Sequence, residues 1–205
     1  MTEKFPAVIL AGGRSRRMGG TDKPLALLAG RSLIAHIIER LALQATPLAI
    51  NANGDPARYA SFGLPILSDP LEGFAGPLAG ILAAMEWAHE TGASHVLTVA
   101  GDTPFIPRDL AAKLSTVLMP NDTRISIAQS RERIHPVIGL WPLTLQRALR
   151  DHLAQQDRRK VMAFIEMAGF VVADFSTTGT DEADPFFNIN TPDDLFLAHT
   201  FLEEQ

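Results

Sequence analysis

The chain is predicted to form an α/β fold in three layers, with helices on both faces of a mostly parallel, mixed sheet. Three observations carry this. Short apolar runs alternate with segments of helical periodicity along the chain, the order that builds a parallel-rich sheet. Several apolar runs end abruptly in Gly, Asn or Asp, as strands do where they empty into a ligand-facing edge. The length of 205 residues with ordinary apolar content suits one large core, and one domain over residues 1–205 is expected.

The first run, residues 7–10 (AVIL), is apolar and partly β-branched, which suits a buried strand. It leads into Ala11, Gly12 and Gly13, then Arg14, Arg16 and Arg17, then Met18, Gly19, Gly20 and Lys23. Paired glycines let the backbone turn and lie against a ligand. Convergent N–H groups with arginine forks and a lysine invite polyphosphate; the alternative on residue types alone is a solvated basic loop. Neither G-x-x-x-x-G-K-[ST] nor G-x-G-x-x-G occurs in this stretch, so it is neither a P-loop nor a dinucleotide fingerprint. Pro24 disfavours helix at Lys23.

Residues 25–28 read as an extended segment before a turn at Gly30. Ser32 sits at a helix cap, and Leu33, Ile34, Ile37, Ile38 and Leu41 follow at helical spacing. Leu48, Ala49 and Ile50 form a second strand ending at Asn51, a turn residue or a ligand contact. Residues 55–62 read as a short helix. Residues 64–67 form a third strand that ends near Asp69, whose carboxylate could accept from a ribose diol or cap a turn. Gly76 and Pro77 open a helix with Leu78, Ile81, Leu82 and Met85 on one face, and Gly80 permits close packing or ligand approach.

Residues 94–100 (SHVLTVA) are the most strand-like in the middle of the chain and end at Gly101-Asp102. A carboxylate there can hold octahedral Mg²⁺ together with substrate phosphates, or cap a turn. A helix is expected from Pro107 to about Leu118. Strands follow at 124–129 and 136–140, then a helix from Pro142 to about Leu153. The linking stretch 130–135 carries Arg131, Arg133 and His135, either a solvated hairpin or part of a second substrate site. Arg158, Arg159 and Lys160 form a second basic cluster before a helix at 161–167. A late strand covers 171–175, and a polar loop covers 177–185. Asn188 and Asn190 alternate with apolar neighbours, as on a strand. Thr191 caps a last helix starting at Pro192, with Asp194 at capping-box spacing.

Composition narrows the function. A net charge of −5 argues against nonspecific nucleic-acid binding. The absence of cysteine removes disulfides, thiolate metal sites and cysteine nucleophiles. The N-terminus does not read as a signal peptide and no run is long enough to cross a bilayer, so a cytoplasmic protein without membrane association is expected.

Leu10, Ala11, Gly12, Gly13, Ser15, Arg17, Met18, Gly19, Asp22 and Lys23 match L-A-G-G-x-S-x-R-M-G-x-D-K, with Gly20 as an extra residue. The stretch thus resembles the signature of Rossmann-like nucleotidyltransferases with the nucleotide-diphospho-sugar transferase type of fold. Within that group the chain resembles the molybdenum cofactor guanylyltransferases. Asn51-Ala52-Asn53, Asp69, the residues from Gly76 to Gly80, Asp102-Thr103-Pro104, His135-Pro136, Arg158 to Met162 and Asn188 to Pro192 carry that likeness, in the family's order. It implies GTP and molybdenum-molybdopterin as substrates, Mg²⁺ as cofactor, and cofactor-delivery proteins and molybdoenzyme chaperones as partners. It further implies that the N-terminal part binds the nucleotide and the C-terminal part contributes to the acceptor site. Arg17, Lys23 and Asp102 would be catalytic, with Asp102 on the metal. Leu10, Ala11, Gly12, Gly13, Lys23, Asn51, Asp69, Gly80, Asp102, Asn188 and Asn190 would bind ligand. A cytidylyl- or sugar-phosphate nucleotidyltransferase and a non-catalytic GTP-binding regulator are the alternatives.

Overall fold

The computed structural model describes residues 4–12, 22–71, 76–155, 160–176 and 184–203. The strands are β1 (Phe5–Leu10), β2 (Leu27–Leu28), β3 (Arg31–Ser32), β4 (Ala45–Asn51), β5 (Ile66–Leu67), β6 (His95–Ala100), β7 (Ile125–Ser130), β8 (Arg133–Pro142) and β9 (Phe170–Asp174). The α-helices are α1 (Leu33–Ala42), α2 (Pro77–Glu90), α3 (Leu110–Thr116), α4 (Gln146–Leu153), α5 (Val161–Ala168) and α6 (Pro192–Glu203). Seven strands make one sheet in the order β5-β4-β1-β6-β8-β7-β9, and β2 and β3 form a separate hairpin. Every pairing in the large sheet is parallel except those of β8, which runs antiparallel to both β6 and β7.

Strand β1 lies inside the sheet with both faces covered, which is why it is continuously apolar. Ala7 and Ile9 join the core under α1 and α3, while Val8 joins the core under α2, α4 and α5. Burying a side chain such as Ile9 or Val8 contributes about 1.5–3 kcal/mol. Helix α2 was expected to bury one stripe, yet every residue from Leu78 to Met85 is buried. It is covered by β1, β4, β5, β6 and α4, so its alanines and Gly80 serve close packing on all sides.

Several boundaries differ from expectation, each for a local reason. Lys23 begins a single 3₁₀ turn, Lys23–Leu25, because Pro24 near a helix start lacks only an N–H that would be unpaired there. The segment 55–62 is a 3₁₀ helix, Pro56–Phe62, with the Asp55 side chain accepting from Ala57 N at 2.9 Å. Pro107 lies ahead of α3, and Pro142 ends β8. The β7–β8 connection is a two-residue turn in which Arg131 and Glu132 both have positive φ, 45° and 63°, the backbone of a tight hairpin. His135 therefore belongs to β8. Between Gly139 and His135 the pairing to β7 skips residues 136–138, and Pro136, with no N–H to donate, sits in this bulge. Residues 188–190 are not a strand, since their polar groups are taken by the loop after β6 and by α6.

Helix α6 starts as the sequence predicts. Asp194 N donates to Thr191 Oγ1 at 3.1 Å, and Asp194 Oδ2 accepts from Thr191 N and Asn190 N at 2.8 Å each. A third core of Leu28, Leu33, Phe105, Ile189 and Ala198 fastens α6 and the chain before it to the β2–β3 hairpin. Among the described residues no helix is long and apolar enough to cross a membrane.

Candidate active site

The carboxyl ends of β1, β4, β5 and β6 lie side by side, and backbone bonds carry the strands' pairing past their ends. Ala11 N donates to Asn51 O at 2.9 Å, Ala52 N to Leu67 O at 3.0 Å, and Gly101 N to Leu10 O at 3.0 Å. A Cβ at Gly101 would stand 3.1 Å from Leu10 O and 3.2 Å from Ala11 Cα and Pro24 Cγ. The loops leaving β1 and β6 therefore meet without room for a side chain.

One part of the edge is a clamp of amides around a carboxylate. Asn51 Nδ2 donates to Leu67 O at 3.0 Å and to Asp69 Oδ1 at 2.9 Å. Asn53 Nδ2 donates to Asp69 Oδ2 at 2.7 Å, and Asp69 N returns a bond to Asn53 Oδ1 at 3.0 Å. Asn51 is buried, and its Oδ1 points at α2, where a Cβ on Gly80 would come within 2.3 Å. Gly80 thus makes room for Asn51. Arg58 ties this clamp to the residue before Lys23, with an ion pair to Asp22 and a 2.6 Å bond from Nη2 to Asn53 O. Asn53 and Arg58 were not among the predicted site residues. The signal for Asn53 was its place two residues after Asn51; nothing local marks Arg58.

The second part is the pairing of Lys23 with Asp102. The Lys23 ammonium donates to Asp102 Oδ2 and, at 2.5 Å, to Asn190 Oδ1. An ammonium has three donors, so one has no partner among the described residues. Asp102 Oδ1 is buried and has no hydrogen-bond partner among the described residues. Ile189 N donates to Asp102 O at 3.0 Å, which brings the chain before α6 onto this loop. Burial pushes the Asp194 carboxyl up, but the hydrogen bonds from Asn190 and Thr191, with the charge of Lys23, outweigh it and hold it below its ordinary value.

Leu10, Ala11, Gly12, Lys23, Asn51, Asp69, Gly80, Asp102 and Asn190 are thus joined along one edge; a Cβ on Gly12 would lie 3.5 Å from Asn51 Oδ1. Asn188 is half-buried in the same segment, and its side chain makes no hydrogen bond to the others among the described residues. Gly13, Arg17 and the remaining basic residues of that loop lie outside the described residues, as do Arg158, Arg159 and the loop 177–183.

Among the described residues a cation would find one unpaired carboxylate oxygen here. Among the described residues no group of three His, Cys, Asp or Glu could cage a metal. The donor set fits an ion held by one carboxylate and completed by substrate phosphates and water, the usual arrangement for Mg²⁺ in phosphoryl-transfer sites.

Residues 7–169 match the model of the MobA-like NTP transferase domain. The chain belongs to this family. It is 50% identical over 199 residues to the molybdenum cofactor guanylyltransferase of Bradyrhizobium sp. (strain ORS 278), covering 96% of this chain and 92% of that one. It is 47% identical over 204 residues to the molybdenum cofactor guanylyltransferase of Mesorhizobium japonicum, covering 99% and 98%. In fold, it is similar to the molybdopterin-guanine dinucleotide biosynthesis protein A of Archaeoglobus fulgidus, with a TM-score of 0.73, 21% identity and coverage of 98% and 100%. It is also similar to a CMP:2-keto-3-deoxy-manno-octonic acid synthetase complexed with CTP, with a TM-score of 0.69, 15% identity and coverage of 98% and 99%. Membership of the MobA-like family agrees with the observed fold.

Proposed function

We propose that the protein transfers GMP from GTP to the terminal phosphate of molybdenum-molybdopterin, releasing pyrophosphate and leaving the guanine dinucleotide form of the cofactor. The observation that carries this is the identity of about half, over nearly the whole chain, to relatives named for that reaction. The Lys23–Asp102 pair beside the amide–carboxylate clamp supports it.

The chemistry asks little of a base. A phosphate monoester has a second pKa near 6 and is largely dianionic at neutral pH. An acceptor oxygen forms the new bond to the α-phosphorus of GTP, the α–β anhydride bond breaks, and pyrophosphate leaves with the electron pair. The obstacle is bringing anions together and stabilising the charge that develops on the leaving group. Lys23 answers part of this with its remaining N–H, held in place by Asp102 and Asn190. Arg17, by family resemblance, adds a guanidinium from the glycine-rich loop. Asp102 Oδ1 and the substrate phosphates would hold Mg²⁺, which supplies charge neutralisation when bound. The Asn51–Asn53–Asp69 clamp would hold the nucleoside, each Asp69 oxygen having a second lone pair free for a donor. Residues 1–205 would act as one domain in the cytoplasm, the C-terminal part with Asn188 and Asn190 facing the acceptor, and delivery proteins and molybdoenzyme chaperones exchanging the cofactor.

The test is pyrophosphate release from GTP, CTP, ATP or UTP with Mg²⁺ and molybdenum-molybdopterin, alongside calorimetric binding of each nucleotide. GTP alone should bind and turn over. Turnover with CTP instead would move the protein to the cytidylyl branch, and GTP binding without pyrophosphate release would make it a regulator.

A further inference from the structure

A buried polar chain lies apart from the nucleotide edge, between the β7–β8 hairpin and the segment leading to α6. Ser130 is buried; its Oγ lies 2.8 Å from His135 Nε2 and 2.8 Å from Asp184 Oδ1. One hydroxyl has one proton. The carboxylate can only accept, so the Ser130 proton goes to Asp184 and His135 Nε2–H donates to Ser130. Burial lowers the His135 pKa, the charge of Asp184 opposes this, and Arg133 reinforces it; the ring is neutral near pH 7. Asp184 Oδ1 also accepts from Phe186 N at 2.9 Å, which turns the chain. Phe186 is then buried against His135 and Phe175, with ring centroids 4.7 and 5.2 Å away.

What this chain holds is the strap that ends on the reactive pair. Past Phe186, Ile189 N donates to Asp102 O at 3.0 Å and Asn190 Oδ1 accepts from Lys23 Nζ at 2.5 Å. The strap is therefore fixed at one end by Asp184 and at the other by the α6 cap on Asp194. Its middle carries the contacts to Lys23 and Asp102. A polar chain with Ser130 and His135 buried and Asp184 half-buried rigidifies what it binds, because leaving a buried member unpaired is costly.

We propose that Ser130, His135 and Asp184 are positioning residues for the transfer reaction, acting through residues 184–190 to hold Asn190 on Lys23 and Ile189 on Asp102. This rests on the reading of Lys23 and Asp102 as the nucleotidyl-transfer centre. Asp184→Ala should lower kcat about 10- to 100-fold, the scale of a misplacement remote from the chemistry. The KM for GTP should stay within about twofold, because the Asn51–Asp69 clamp lies on other strands. Asp184→Asn keeps an oxygen that can accept from both Ser130 and Phe186, and should recover most of the rate. Ser130→Ala should fall with Asp184→Ala, and the double variant Asp184→Ala/Asn190→Ala should be less slow than the product of the two singles, since both act in part through Lys23. Hydrogen exchange gives a readout that needs no turnover: Asp184→Ala should lose protection at the Ile189 amide while β1 and β6 keep theirs.

Wild-type kcat in Asp184→Ala, additive effects with Asn190→Ala, or unchanged protection at Ile189 would each overturn the proposal. A variant that unfolds is recognised by loss of protection in β1 and β6, and Asp184→Asn then decides. If the wild-type chain itself releases no pyrophosphate, the transfer reading fails, while the Ile189 exchange still shows whether Asp184 holds the strap.

Discussion

The two halves of the edge are finished to different degrees. In the clamp, the amide of Asn51, both oxygens of Asp69 and the amide and carbonyl of Asn53 all have protein partners. At the Lys23–Asp102 pair a buried carboxylate oxygen has none among the described residues. An unpaired buried acceptor costs about 1–3 kcal/mol, so folding tolerates it where a ligand completes it. On the proposed reading, the clamp would serve recognition, and the lysine–aspartate pair would be completed when substrate and ion arrive. Damage to the first should appear in affinity and stability, and damage to the second in rate.

The sharpest way to break that contrast is Asp102→Ala. Turnover should fall by at least about 10³-fold, as when a preorganised charge-stabilising group is lost. The melting temperature should move by less than about 4 °C, which at this chain length is roughly 1 kcal/mol, because Ile189 bonds the backbone oxygen of Asp102 and not its side chain. Retained Mg²⁺-dependent turnover would remove Asp102 from the centre. Lys23→Ala should cost about 100-fold in kcat with GTP affinity reduced much less; unchanged kinetics would take Lys23 out of the site.

Gly80→Ala probes the other half. The added Cβ would stand 2.3 Å from Asn51 Oδ1 and 3.2 Å from Leu10 Cδ2, so Asn51 must swing out and release Asp69. Overpacking of this kind costs about 1–3 kcal/mol. The KM for GTP should rise about tenfold, the equivalent of roughly 1.4 kcal/mol, with kcat changed far less. A drop in kcat at unchanged KM and melting temperature would show that clamp and reactive pair are not separable.

The difference between the halves is also a difference in legibility. The strand ends announce themselves: an apolar run stops at Asn51 or at Gly101-Asp102, and the parallel order puts those stops on one edge. The cap of α6 was readable because Thr191 and Asp194 stand three residues apart. The strap was not, because its partners are remote: Asn190 meets Lys23 across 167 positions, and Asp184 meets Ser130 across 54. No periodicity encodes such contacts. The alternation of Asn188 and Asn190 suggested a strand, but side-chain and loop bonds override the local pattern. The β7–β8 hairpin was one of the two readings of residues 130–135, but its tight two-residue turn was not legible, since Arg131 and Glu132 take positive φ without the Asn-Gly that normally marks it.

The smallest effect separates the anchor from its titration. Because burial holds the His135 pKa below its ordinary value, the folded chain refuses a proton that the unfolded chain accepts near pH 6.5. Stability from this group is complete above that pH. It declines as pH falls toward the folded pKa, with a slope of no more than about 1.4 kcal/mol per pH unit. His135→Gln keeps a donor for Ser130 but cannot titrate. Denaturant unfolding at pH 7 and pH 5 should therefore show a smaller loss on acidification in the variant than in the wild type, with kcat at pH 7 nearly preserved. An identical acid loss in both chains would mean that the His135 imidazole does not set it, and Asp194 could not either, since a carboxyl lowered in the fold loses its contribution only below its ordinary pKa. Preserved kcat with a flattened pH response would mean that the strap needs the hydrogen bond that His135 donates and not its charge.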